Sequence, residues 1–184
     1  MICEADKNDA KEVIELLNLA MEDIAFSLSG TSNLEQSNQI LQEFFTGEDN
    51  RLSYKNILVF KDAQKVVGAI CSYNGLDSKR LDIPFIKRLK DLGKEPNIKQ
   101  ECIKNELYID SLAVSIDYRG QKIATKLISA VFERAKKLGL SRVSLIVDIK
   151  KPKVKRYYES LGFCGCNELE ILGHKYTYMT KDLI

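Results

Sequence analysis

Leu112-Ala113-Val114, then Asp117-Tyr118-Arg119-Gly120-Gln121-Lys122-Ile123-Ala124-Thr125-Lys126, is a strand running into the start of a helix. The strand is predicted over residues 107–114 from its apolar content. The helix is predicted over 119–138, with Ile123, Leu127, Ala130, Val131, Ala135 and Leu138 on one face and Gly139 closing it. The positive end of a helix dipole favours carboxylates. This first turn instead carries Arg119, Lys122 and Lys126, and no acid follows Asp117. Three cations there are unfavourable unless an anion sits among them. Gly120 lets a ligand approach the backbone closely. The chemistry therefore reads as a phosphate or pyrophosphate site; the alternative is a solvated basic helix start that binds nothing.

Working outward, the N-terminal side opens with a strand at 2–5. A helix follows, with Val13, Leu16, Leu17, Ala20, Ile24 and Leu28 at helical spacing. Ser29-Gly30-Thr31 ends it, and a second helix sets Leu34, Ile40, Leu41, Phe44 and Phe45 on its apolar face. A hairpin is predicted from strands 56–60 and 66–73 around the turn at 62–65. The polar, lysine-rich stretch 77–105 contains Pro84 and Pro96. It is predicted to hold a short helix at 83–92, packed over the sheet. About thirty residues is long for a connection between neighbouring strands, and such connections are usually functional lids or disordered. On the C-terminal side come a buried strand at 143–147, a short helix at 152–161 opened by Pro152, and strands at 163–171 and 175–183 turning at Leu172-Gly173. This order calls for a mixed sheet with helices on its faces.

Composition excludes several function classes. The 184 residues suffice for one domain with a sizeable core. With 28 Lys and Arg against 26 Asp and Glu, the net charge of +2 argues against wholesale nucleic-acid or membrane binding. The basic run from Lys150 to Arg156 has the composition of a nuclear-localisation or nucleic-acid patch but is read as a solvated helix face. No apolar stretch is long enough for a membrane span, and the N-terminus lacks the pattern of a signal peptide. Cys3, Cys71, Cys102, Cys164 and Cys166 have no paired zinc spacing, which points to reduced thiols and a cytoplasmic location. Cys164-Gly-Cys166 is read as part of an apolar strand rather than a redox or metal pair. The single histidine, His174, sits in an apparent turn, so a Ser-His or Cys-His hydrolase is not expected.

Leu112-Ala113-Val114 followed by Asp117 to Ala124 resembles the acyl-CoA signature of the GNAT acetyltransferases (Arg or Gln, two residues, Gly, one residue, then Gly or Ala), with Arg119 and Ala124 matching. Lys122 stands at the middle glycine. Tyr158-Glu159-Ser160-Leu161-Gly162-Phe163 resembles that family's closing Tyr-x-x-x-Gly-Phe, and Lys151 stands where an asparagine is often found. The resemblance is strong over 107–163. It implies an α/β (α+β) fold with a mixed, mostly antiparallel central sheet flanked by helices. Residues 1–184 would form one N-acetyltransferase domain with an insertion at about 77–105.

The resemblance also implies roles. Backbone groups of Leu112, Ala113 and Val114 would pair with the pantetheine arm as an added strand. Arg119, Gly120, Gln121, Lys122, Ile123, Ala124 and Thr125 would cradle the pyrophosphate, with Lys151 near the phosphates. Tyr158 would protonate the leaving thiolate. Glu106 and Asp110, which alternation puts on one face of the central strand with Tyr108 unless the strand is bulged, are both candidates for the base that deprotonates the amine. The expected function is transfer of an acetyl group from acetyl-CoA to a primary amine of a small molecule or protein, with no metal required. The expected partners are acetyl-CoA and the amine acceptor, and a homodimer is compatible with this. A non-catalytic acyl-CoA-binding regulatory module is the alternative.

Overall fold

The computed structural model describes residues 1–21 and 23–183. Every residue from Val66 to Tyr73 is buried, so their strand runs through the middle of the molecule. The elements in chain order are β1 (Ile2–Glu4), α1 (Ala10–Met21), α2 (Asp23–Ser29), α3 (Leu34–Thr46), β2 (Ile57–Asp62) and β3 (Lys65–Asn74). They continue with α4 (Ser78–Asp91), β4 (Leu107–Val114), α5 (Ile123–Lys137), β5 (Arg142–Asp148), α6 (Pro152–Ser160), β6 (Cys164–Ile171) and β7 (His174–Asp182). The strands form one seven-stranded sheet in the order β1-β2-β3-β4-β5-β7-β6. All neighbours are antiparallel except β4 and β5, which are parallel.

Apolar residues cover both faces of this sheet. On one face, Val13 and Leu17 of α1 and Leu41 and Phe45 of α3 pack with Ala69, Cys71 and Tyr108. On the other, Leu127 and Val131 of α5 meet Val67, Ile109, Val143, Met179 and Phe163. A Cβ added to Gly68 would lie 2.9 Å from Ile123 and 3.2 Å from Leu127, so the missing side chain lets α5 lie close on β3.

Several sequence expectations change. The first helical stretch is described as α1, which packs on the sheet, and α2, whose Ala25 and Leu28 pack toward α3 and α4; residue 22 between them lies outside the described residues. The helix of the 77–105 stretch begins at Ser78, because Leu81 and Asp82 are buried and extend its inner face past Pro84. It packs on α2, with Phe85 stacked 4.0 Å from Phe44 of α3; the place over the sheet is taken by α1. α5 starts at Ile123 rather than Arg119, because Gly120 (φ 79°) and Lys122 (φ 61°) are left-handed and outside helical geometry. Leu34 and Leu138, expected on apolar faces, are exposed. Cys164 and Cys166 are exposed on the edge strand β6 rather than lying in an apolar strand, and His174 opens β7 after a turn at Leu172 and Gly173.

Candidate active site

β4 and β5 pair only at Leu107–Val143 and Tyr108–Ser144. Beyond that point the strands diverge, and among the described residues the β5-facing edge of β4 has no strand partner from Ile109 to Val114. A cavity of about 250 Å³ fills the opening. Ile109, Asp110, Ser111 and Leu112 line it from β4, and Leu145, Ile146, Val147 and Asp148 from β5. Ala20, Met21, Asp23 and Ile24 wall it at the α1–α2 junction, Lys151, Val154 and Tyr158 at α6, and Leu172, His174 and Tyr176 at the β6–β7 hairpin.

The register with β3 shifts within β4: Ser72 pairs with Ile109, but Cys71 pairs with Ser111. Asp110 is therefore the extra residue of a bulge, which re-aims a side chain and reverses the alternation. Before the bulge, Leu107 and Ile109 face α5; after it, Leu112 and Val114 do. Asp110 itself turns toward the opposite face, with Tyr108.

There it meets a buried ionic hub that the sequence reading missed. Arg51, 3% exposed, comes from the α3–β2 loop. Asn50 caps that loop by donating to Phe44 O at 2.7 Å, and Asn56 donates to Arg51 O at 3.2 Å. The guanidinium donates to Asp110 Oδ1 through Nε at 3.0 Å and through a second nitrogen. It also donates to Glu101 Oε1 at 3.2 Å and lies 3.5 Å from Asp82 Oδ1. Tyr73 donates to Asp110 Oδ1 at 3.0 Å, and Tyr108 donates to Glu101 Oε2. Three donor atoms, two from Arg51 and one from Tyr73, thus converge on Asp110 Oδ1, whereas Oδ2 makes no hydrogen bond or ion pair among the described residues. Burial raises the pKa of Glu101, with Arg51 pulling the other way and Asp110 adding to the rise. Asp82 is raised for the same first reason. Burial likewise holds Tyr73 and Tyr108 neutral. An isolated arginine in a loop and one glutamate in a lysine-rich stretch carry no periodicity, so no sequence signal joined them.

Glu106, the other candidate base, does not line the cavity. It shares the Tyr108 face, as alternation implied, but Tyr178 donates to its Oε2 at 2.6 Å and Arg142 lies 3.5 Å from its Oε1.

Tyr158 lines the cavity from α6, packed edge-on against Phe163 at 5.7 Å and beside Tyr157 at 5.4 Å. Its hydroxyl makes no hydrogen bond among the described residues. Burial, and next Tyr157, push its pKa above the ordinary tyrosine value, so it is a neutral O–H donor at pH 7. The Gly162-Phe163 pair sets this geometry: Gly162 (φ 89°) reverses the chain and Phe163 donates to Tyr158 O at 3.1 Å.

At the other end of β4, Arg119, Gly120, Gln121 and Lys122 form an exposed loop before α5. The first-turn N–H groups at Ile123, Ala124 and Thr125 have no intrahelical acceptor. A Cβ added to Gly120 would meet nothing within 4 Å, so the loop has open space over its backbone. Thr125 Oγ1 lies 3.0 Å from Tyr157 Oη, which ties the loop's helix to α6. An open strand edge continuing into a basic, amide-rich loop fits a pantetheine arm ending in a pyrophosphate. Lys151, at the start of α6, lines the cavity rather than the loop.

A splayed parallel pair, a β4 bulge and an anion loop opening the next helix define an acyl-CoA-dependent transferase. The model of the Acetyltransferase (GNAT) family matches residues 18–163, and the chain belongs to that family, whose members move an acetyl group from acetyl-CoA to an amine. A structure described as that of an acetyltransferase is 29% identical, with all of both chains covered and a TM-score of 0.82. An N-acetyltransferase from Staphylococcus aureus Mu50 is 24% identical over 98% of this chain and 99% of that one, with a TM-score of 0.83, a likeness of fold. N-alpha-acetyltransferase 30 of Schizosaccharomyces pombe is 40% identical over 62 residues, which span 34% of this chain and 41% of that protein's length.

Proposed function

We propose that the β4–β5 cleft transfers the acetyl group of acetyl-CoA to a primary aliphatic amine, with Asp110 as the base and Tyr158 as the acid. The observation that carries this reading is the pair of polar groups at the cleft that have no partner among the described residues: Asp110 Oδ2 and the Tyr158 hydroxyl. Asp110 takes one proton from the acceptor ammonium. The freed nitrogen pair forms the N–C bond while the C–S bond breaks. Tyr158 gives its proton to sulfur and regains one from the acylated nitrogen, and the proton on Asp110 leaves to solvent. Binding both reactants in line, with amides of Leu112, Ala113 and Val114 beside the reacting carbonyl, supplies the rest of the rate enhancement. Arg119, Gly120, Gln121, Lys122, Ile123, Ala124 and Thr125 hold the pyrophosphate, and Lys151 meets the cofactor on the α6 side.

Similarity to an N-alpha-acetyltransferase makes chain N-termini the first acceptors to test. Five cysteines without disulfide partners support a reducing, cytoplasmic compartment. The test is thiol release from acetyl-CoA across a panel of peptides, diamines and amino-acid amides. Release with at least one amine supports the enzyme; tight CoA binding with no release across the panel favours a non-catalytic acyl-CoA-binding module.

A further inference from the structure

The Arg51 hub sets three carboxylates against one guanidinium. The side chains of Arg51, Asp82, Glu101 and Asp110 are 4%, 2%, 5% and 4% exposed, so water does little to screen the imbalance. Among the described residues, the three carboxylates form ion pairs with no other cation. Buried charges are retained when paired, and the hub lacks positive charge. The shortfall lies at the cleft: Glu101 and Asp110 line the cavity, and Asp82 does not. A second observation falls at the same spot. Ser111, 6% exposed, lines the cavity too, and its Oγ is buried with no hydrogen-bond partner among the described residues.

We propose that the acceptor binds as its ammonium ion, completing the hub as its second cation between Glu101, Asp110 and Ser111, and that Glu101 selects protonated aliphatic amines over amines uncharged at pH 7. An ammonium group has three N–H donors. Asp110 Oδ2, the Ser111 hydroxyl and the remaining lone pairs of the Glu101 carboxylate supply three acceptors. Glu101 belongs to the connection between α4 and β4, so this connection adds a selecting carboxylate to a cleft whose chemistry sits on β4 and α6. The raised pKa of Glu101 agrees with a charge shortfall that the acceptor relieves. The proposal rests on the acetyl-transfer reading of the cleft and names the acceptor class for it.

Ethylamine and 2,2,2-trifluoroethylamine have nearly the same shape, but at pH 7 the first is an ammonium ion and the second is uncharged. Ethylammonium chloride is expected to raise the melting temperature of the wild-type protein more than equal sodium chloride does, and trifluoroethylamine is not. Glu101→Gln should abolish the ethylammonium shift. In acetylation assays that variant should raise the KM for ethylamine at least about tenfold, the loss of one charge-assisted hydrogen bond, and far more than the KM for trifluoroethylamine. Glu101→Asp should recover part of the loss. No ethylammonium shift in the wild type, or equal losses for both amines in Glu101→Gln, would overturn the proposal and leave Glu101 a structural member of the hub. An ethylammonium shift without thiol release from either amine would uphold the cation site and contradict the acetyl-transfer reading.

Discussion

Lys122 sits where its family pattern has glycine, and it adopts the left-handed backbone that glycine would take easily (φ 61°, ψ 20°). A left-handed non-glycine residue costs about 1–2 kcal/mol. Retaining lysine there is accounted for if its charge contributes to phosphate binding. Lys122→Gly is therefore expected to stabilise the ligand-free protein by about 1 kcal/mol in urea unfolding and to weaken CoA binding in calorimetry. A variant that loses stability would mean the turn does not carry this strain. Glu101 makes a prediction about pH. Its folded pKa lies above the ordinary 4.5, through burial first, with Asp110 adding and Arg51 opposing. In the window between the unfolded and folded values, the native state binds more protons than the unfolded chain. Stability then falls as pH rises through the folded pKa. Glu101→Gln should flatten that part of a melting-temperature profile measured from acid to neutral pH; an unchanged slope would assign it to Asp82, the other raised carboxylate of the hub.

At the scale of elements, the connection between α4 and β4 reaches the site through one close approach. Gly75 donates its N–H to Glu106 O at 2.9 Å, and a Cβ there would lie 2.3 Å from Cys102 Sγ and 2.6 Å from Lys104 O. The backbone oxygen cannot swing aside as a side chain can, so Gly75→Ala must push residues 102–104 outward and shift Glu101 with them. The expected result is a higher acceptor KM with acetyl-CoA affinity little changed. Equal losses for both substrates would mean the displacement spreads beyond the connection. The strand–loop–helix unit from β4 to α5 was legible because cations at a helix start conflict with the dipole, a local contradiction that only a ligand resolves. The bulge at Asp110 was not legible: 107–114 is apolar enough that either alternation buries it, and the shift shows only against β3.

Across the whole molecule, the order of elements and a mixed sheet with helices on its faces could be read from periodicity and turn signals, since each strand and helix carries its own pattern; that the sheet is mostly antiparallel came from the family resemblance. The hub could not, because Arg51, Asp82, Glu101 and Asp110 come from four separate segments that meet only when the sheet and its covering helices assemble. Both halves of the account meet at Tyr158: it was singled out by the resemblance of Tyr158 to Phe163 to the family's closing motif, and its place at the cleft comes from α6 packing beside the β4–β5 opening. The most direct measurement is acetyl transfer by Tyr158→Phe, with acetyl-CoA affinity determined on the same preparation. If the β4–β5 cleft performs the transfer with Tyr158 as proton donor, kcat falls by about 10²-fold or more while the acetyl-CoA Kd stays nearly unchanged. Wild-type kcat in that variant would contradict the account and reduce Tyr158 to a packing residue against Phe163.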